Sequence, residues 1–342
     1  MVIIEVLKCE HCGASLEVTP EDIIVVCPYC GYPNAYDKIF AEENVFFVDG
    51  LPKKEILHSF NERVRRDKDF RGIRGKIHVV KVEGVYVPLW FGRVSGRGYI
   101  RFVVYEKKGD KKRLVTKHQE FKDESIVCIS GRRGVYDIAV ETLAEKFVRT
   151  YFGFKNLKDN LRYMINPLSI RSLTPEKWEE LELEFLNTDF KAEEAKLALL
   201  DMASDLAKKK HVPSDGEVKG FRFEGEVEET AIVFYPLWKV YYEFDGGTYF
   251  VAYDGRTGKE ILAVEPVRIW RKMAYLLWVL AGILISTLSL TAYGNFSYWR
   301  FVGELKRSGA FFLVLPALGA YLGFELAKGY GKKMARDVRV ER

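Results

Sequence analysis

Glutamine is almost missing from this chain: Gln119 is the single one in 342 residues, against 53 Lys and Arg and 48 Asp and Glu. Few thermolabile amides beside many charges is the composition of a thermophile protein, whose cytoplasm also tolerates the disulfides that other cytoplasms exclude. Recognised catalytic fingerprints are missing as well. There is no P-loop, nucleophile elbow, HExxH or dinucleotide motif, and His58, His78, His118 and His211 are scattered with no pair at ligand spacing. An enzyme is therefore not expected. The opening MVIIEVLKCEHC lacks a basic start before a long apolar run and lacks a small-residue cleavage site, so no signal peptide is expected. Charge of one sign is in small excess, a formal +5 that the basic tail mostly supplies, which argues against a nucleic-acid binder built on overall charge.

Long uncharged runs are confined to the C-terminal region. Met273 to Tyr293 is twenty-one residues without a charge, enough at about 1.5 Å per residue to span a hydrocarbon core of roughly 30 Å. Gly309 to Ala327 is nearly as long and holds one acid, Glu325. The fifteen residues between them suffice only to turn around, so the two runs predict a transmembrane hairpin with both chain ends on one side. Arg268, Arg271 and Lys272 before it, and Lys328, Lys332, Lys333, Arg336, Arg339 and Arg342 after it, outnumber Arg300, Lys306 and Arg307 in the loop. The positive-inside bias then places both termini in the cytoplasm, with the lipid bilayer as a partner. Phe296, Tyr298, Trp299 and Phe301 read as an interfacial belt, and Pro316 as a kink in the second span. Gly319 and Gly323 form a small-residue face for a neighbouring helix, either the first span through Gly282 and Ser286 or a second copy of the chain in a homodimer. Glu325 reads as a snorkelled pair with Lys328.

Four of the five cysteines stand as two C-x-x-C-G knuckles, Cys9 and Cys12 with Gly13, and Cys27 and Cys30 with Gly31. Thiolates so spaced converge on one point, and two knuckles at this separation close a tetrahedral site. Ser15 to Val18 and Ile23 to Val26 read as strands of one hairpin joined around Pro20 and Glu21. Structural Zn2+ is the favoured occupant; two disulfides, a redox dithiol pair and a rubredoxin-like iron are the alternatives. His11, between two ligands, is expected to be exposed rather than metal-bound. An all-Cys site leaves no open position for catalysis, so the ribbon reads as a folding staple and a binding surface. Residues 9–31 hold Glu10, Glu17, Glu21 and Asp22 and no Lys or Arg, which disfavours nucleic acid there. Cys128, in an apolar run, reads as a buried structural thiol.

A helix is expected to begin near Pro52. Val85 to Tyr105 and Val233 to Tyr253 align without a gap at an offset of 148, matching Pro88-Leu89-Trp90 to Pro236-Leu237-Trp238. Each copy reads as a strand entering at the proline, a turn at a glycine-bearing loop, and a returning strand. The two tryptophans read as shared core rather than a ligand platform, and Asp254 to Gly258 as a turn rather than a phosphate or cation loop. Helices are expected over Gly134 to Phe152, from Thr174 and Pro175, and over Lys191 to Lys210. The last ends in Lys208, Lys209, Lys210 and His211, which reads as a solvated helix end.

The expected fold is thus α+β: a zinc ribbon over 1–38; a cytoplasmic domain over 39–268 with its repeat at about 78–110 and 220–266 and a helical insertion at about 131–212; spans at 273–293 and 309–327; and a basic tail over 328–342. With the C-x-x-C-G pair, Gly84 to Trp90 (GVYVPLW) and Tyr235 to Lys259, the chain resembles a largely uncharacterised family of prokaryotic membrane proteins carrying a TFIIB-type zinc ribbon. The resemblance covers most of the chain outside about 106–217. Some members look like membrane-stress components encoded near stomatin-like (SPFH) or phage-shock proteins, which implies a membrane-anchored recruiter with a protein partner of that kind. The competing expectation is a membrane-tethered nucleic-acid-binding or transcription-related regulator.

Overall fold

The structure, a computed structural model, describes residues 5–265 except 19–21, 37–39, 41–42, 68–69, 71–73, 109–110, 133–137, 151–155 and 214–215, and further on 273–274, 276–288, 291, 321–328 and 338–339. It is a mixed α/β protein with a cysteine cluster at its N-terminal end and a β-rich body.

Four short strands frame the cysteines: β1 (Glu5–Lys8), β2 (Ser15–Val18), β3 (Ile24–Val26) and β4 (Pro33–Ala35). The two expected strands form, but they do not pair with each other. β2 pairs antiparallel with β1 and β3 with β4, each closing over its own knuckle. The physical reason is local: each C-x-x-C-G loop turns the chain back on itself, with Gly13 and Gly31 at φ 74° and 83°, so the strand before a knuckle meets the one after it.

The body is organised around two long antiparallel strands, β6 (His78–Lys108) and β11 (Glu217–Phe244), which pair along almost their whole length. Here the two P-L-W motifs lie side by side about a local two-fold axis: Pro88 opposes Phe234, Pro236 opposes Tyr86, and Val87 opposes Tyr235. Both faces are covered, so the segments read as continuous apolar runs rather than alternations. Tyr86, Trp90, Phe234 and Trp238 point to one face, beneath α1 (Lys53–Arg66) and the long α5 (Ala192–His211). Val87, Leu89, Phe91, Tyr235 and Leu237 point to the other, beneath α2 (Ile138–Glu145) and α3 (Leu157–Ile165).

The duplication is deeper than the aligned stretch. β5 (Val45–Phe47) runs parallel to β11 and antiparallel to β9 (Leu168–Ser169), and β10 (Glu184–Phe185) runs parallel to β6. Val48 N–H donates to Phe234 O and Leu186 N–H to Tyr86 O; Leu51 N–H donates to Gly255 O and Asp189 N–H to Gly131 O. The two glycines in turn donate to Pro236 O (2.9 Å) and Pro88 O (2.7 Å). Each half is therefore a short strand, a helix and a long strand, and each lends its short strand to the other half.

The two copies then diverge. In the second, the chain turns at Asp245 and Gly246, both at positive φ, and returns as β12 (Gly247–Asp254), as expected. In the first there is no turn at Ser95 to Gly98: β6 runs straight through, and β7 (Lys111–Ser130) returns only from beyond residue 108. Those glycines serve close approach instead. A Cβ on Gly96 would fall 2.4 Å from the Phe223 ring, and one on Gly98 2.2 Å from Arg222 O. The result is a three-stranded arm of β6, β7 and the first half of β11, its inner face packed by Ile100, Phe102, Val104 and Phe121 on the end of α5.

The expected helix over Gly134 to Phe152 is shorter: α2 ends at Glu145, and β8 (Arg149–Thr150) pairs with β7; residues 134–137 lie outside the described residues. Thr174 caps α4 (Pro175–Glu180), accepting from Lys177 N–H, and α5 stops before Pro213, both as expected. Pro52 precedes α1.

On the far side of β12 lies β13 (Glu260–Val264), whose outer neighbour is β14 (Val338–Arg339). Among the described residues no helix is long and apolar enough to cross a membrane. Of the two expected spans, 276–288 and 321–328 are helical; Pro316, Gly319, the loop aromatics and most of the basic flanks lie outside the described residues. The two helical pieces touch where Gly323 meets Gly282 and Ser286, and Lys328 reaches Glu325 at 3.4 Å, as the sequence suggests. Their outer faces expose Leu277, Leu280, Ile283, Leu284, Leu288, Leu322 and Phe324.

Candidate metal centre

The four knuckle cysteines come together as the spacing requires. Cys9 Sγ lies 3.7 Å from Cys30 Sγ, Cys12 Sγ 3.7 Å from Cys27 Sγ, and all four sulfurs fall within 4.8 Å of one another. Disulfide sulfurs sit about 2.05 Å apart, whereas four thiolates at about 2.3 Å from one tetrahedral ion are separated by about 3.8 Å. The donor set therefore fits a closed tetrahedral metal site, and its chemistry accepts zinc or iron. Cys9 and Cys27 are buried, and Cys12 is exposed.

Backbone and amide donors favour the thiolate at Cys9. Burial pushes the Cys9 thiol up, but the amides of Cys12 and His11 and the Asn34 side chain outweigh it and bring it down to about 6. Burial and the neighbouring thiols push Cys30 up to about 12. Asn34, 1% exposed, ties the knuckles: its Nδ2 donates to Cys9 Sγ (3.6 Å) and Tyr32 O (2.8 Å), while its Oδ1 accepts from Glu10 N–H (2.8 Å). Nothing in the sequence singled it out, because an Asn four residues past a knuckle also fits an ordinary turn.

His11 is not exposed, as expected from its place between ligands, but half-buried. Its ring lies 4.9 Å from Trp178 and 5.9 Å from Tyr32, and its Nε2 is 3.0 Å from Glu179 Oε1. It does not join the sulfur cluster. Tyr32 donates to Leu173 O (3.0 Å) and meets Trp178 edge-on at 5.8 Å. The knuckle loops are thus also the surface by which the ribbon sits on α4.

The remaining candidates resolve as structural groups. Cys128 is 1% exposed, and burial holds its thiol well above the ordinary range. Trp90 and Trp238 are fully buried, donating to Thr188 Oγ1 and Leu51 O. Asp254 Oδ1 accepts from Arg256 N–H, Thr257 N–H and the Tyr235 hydroxyl, which makes the loop to Gly258 a self-capped turn. Lys210 and His211 grip Asp123 at 2.5 and 2.7 Å, fastening the end of α5 to β7. No protein-family model, curated protein or solved structure matches this chain.

Proposed function

We propose that this protein is a membrane-anchored zinc-ribbon adaptor that recruits a protein partner to the cytoplasmic face of the cell membrane. The observation that carries the reading is a closed four-thiolate cluster mounted on a body whose edge leads to paired apolar helices. A site with all four positions filled by Cys has no vacancy for substrate, so its chemistry is structural. The two helical pieces meet glycine to glycine and turn leucines, isoleucines and a phenylalanine outward, the arrangement that suits a lipid surround. The tail supports a common side for both ends, because β14 comes back to pair with β13, the last strand before the first apolar run. Zinc as the ion, the two full spans, and a stomatin-like or phage-shock-like partner in membrane stress follow from the sequence resemblance and belong to this proposal.

The test is cross-linked affinity purification from native membranes, comparing wild type with a Cys9→Ser/Cys12→Ser variant and measuring the bound metal. A protein recovered with wild type and lost with the variant supports the adaptor. Recovery of the chain in the soluble fraction, or a partner captured regardless of the cysteines, overturns it.

A further inference from the structure

The arm has two faces, and only one is spoken for. Its inner face packs on α5; its outer face carries, in register across three strands, side chains that nothing in the body uses. One row is Lys122, Arg97 and Glu224, and the next is Glu120, Tyr99 and Arg222. Beyond them Arg101 stands beside His118, and Tyr105 beside Leu114. Tyr99, Tyr105 and Leu114 are 48%, 62% and 59% exposed. Between the first two rows is a cleft of about 520 Å³ walled by these six side chains. Its floor is bare because Gly98 has no side chain and its partner Phe121 turns its ring to the other face, onto His211 at 4.3 Å.

Charge is segregated here. On the outer face itself Arg97, Arg101, Lys122 and Arg222 stand against Glu120 and Glu224. The face therefore suits a polyanion. Two sources are at hand, a bilayer surface and a soluble polymer, and the strand directions separate them. β13 ends at Val264, level with Phe250 and Tyr241, and there the chain leaves for the apolar helices. Gly220, beside Arg101, lies twenty-one residues back along the same continuous β11, about 70 Å away at ~3.3 Å per residue. The rows of the arm thus lie far along β11 from the strand end that precedes the apolar helices in the chain.

We infer that the outer face of the arm binds single-stranded nucleic acid, with Tyr99 and Tyr105 as stacking platforms and Arg97, Arg101, Arg222 and Lys122 along the phosphates. Flat rings interleaved with cations on an open sheet are what base stacking and backbone neutralisation require. Glu224 is held by Arg222 at 2.6 Å and Arg97 at 3.9 Å, and Glu120 is placed to accept from the exocyclic amine of a base in the cleft. The inference stands apart from the adaptor reading, and the acidic ribbon takes no part in it.

The test uses the full chain in phosphatidylcholine nanodiscs and a short fluorescein-labelled single strand, RNA or DNA, read by anisotropy. Expected are binding that weakens steeply as salt rises, a loss of about tenfold in Tyr99→Ala, and near wild-type binding in Tyr99→Phe. Arg101→Glu, on an exposed side chain that leaves the packed face intact, weakens binding at least as much. Absence of binding, or binding untouched by Tyr99→Ala and Arg101→Glu, overturns the inference. So does equal competition by polyglutamate or by phosphatidylglycerol vesicles, which would assign the face to an acidic protein or to lipid.

Discussion

The side-chain amide of Asn34 donates to Cys9 Sγ across the gap between the two knuckles, at 3.6 Å, while its carbonyl holds Glu10 N–H at 2.8 Å. One buried side chain thus orients a ligand of the first knuckle from the strand behind the second. Such outer partners usually matter to metal affinity by ten- to a hundredfold. Asn34→Ala is expected to release its metal to a chelator at least tenfold more readily, measured by competition with a chromogenic chelator, while a surface control such as Glu17→Ala leaves the rate unchanged.

Four buried tyrosines make the body sensitive to alkali. Burial pushes the hydroxyls of Tyr86, Tyr235, Tyr242 and Tyr253 well above the ordinary value, helped by Asp49 at Tyr86, Asp254 at Tyr235 and Glu265 at Tyr242. Below a pH of about 10 both folded and unfolded chains keep these protons, and nothing is lost. Above it the unfolded chain gives them up while the folded chain retains them, so stability falls by up to about 1.4 kcal/mol per tyrosine per pH unit. Thermal unfolding followed by tyrosinate absorbance should show Tm dropping above that pH, with the absorbance change of the buried rings arriving together with unfolding.

Arg93 stands where the arm leaves the body and reaches three carboxylates, Glu124 at 2.6 Å, Glu229 at 2.9 Å and Glu228 at 3.3 Å. Burial works against its charge, but Glu124 and Glu229 outweigh that and raise its value. Glu229 also accepts from Leu157 N–H at the start of α3, so the cluster ties arm, sheet and helix. Arg93→Gln leaves the acids facing one another and should cost about 1–3 kcal/mol, discounted because the glutamates are about a third exposed. Denaturant unfolding measures this, and Arg93→Lys should recover part of the loss.

At the helix pair, a Cβ on Gly323 would lie 2.5 Å from Gly282 O and from Ser286 Oγ. Gly323→Leu is expected to weaken the packing and separate the helices, read as a longer distance between spin labels carried on Ser286→Cys and Ala327→Cys. Gly323→Ala should weaken it less.

Much of the site was legible from spacing alone, because four thiolates in two knuckles have few other arrangements. What the pattern could not say is which strands pair, since β2 and β3 look alike whether they meet each other or fold back over their own knuckles. Gly96 and Gly98 misled for a related reason: a glycine signals either a bend or the nearness of something large, and here it is the Phe223 ring and the Arg222 carbonyl. His11 and Trp178 are 167 residues apart in sequence, so their meeting leaves no local trace. The P-L-W repeat, by contrast, was visible because both copies occupy equivalent buried sites about the local axis.

The exchange of short strands between the two halves has a kinetic meaning. β5 pairs with β9 and with β11, the latter almost two hundred residues further on, and β10 pairs with β6. Neither half can complete its own sheet, so the nascent chain must wait for most of its length before either is closed, and contacts so distant in sequence form slowly. A backbone nick between residues 132 and 138 would leave two pieces that refold only together, whereas the halves of an ordinary tandem of independent domains refold singly.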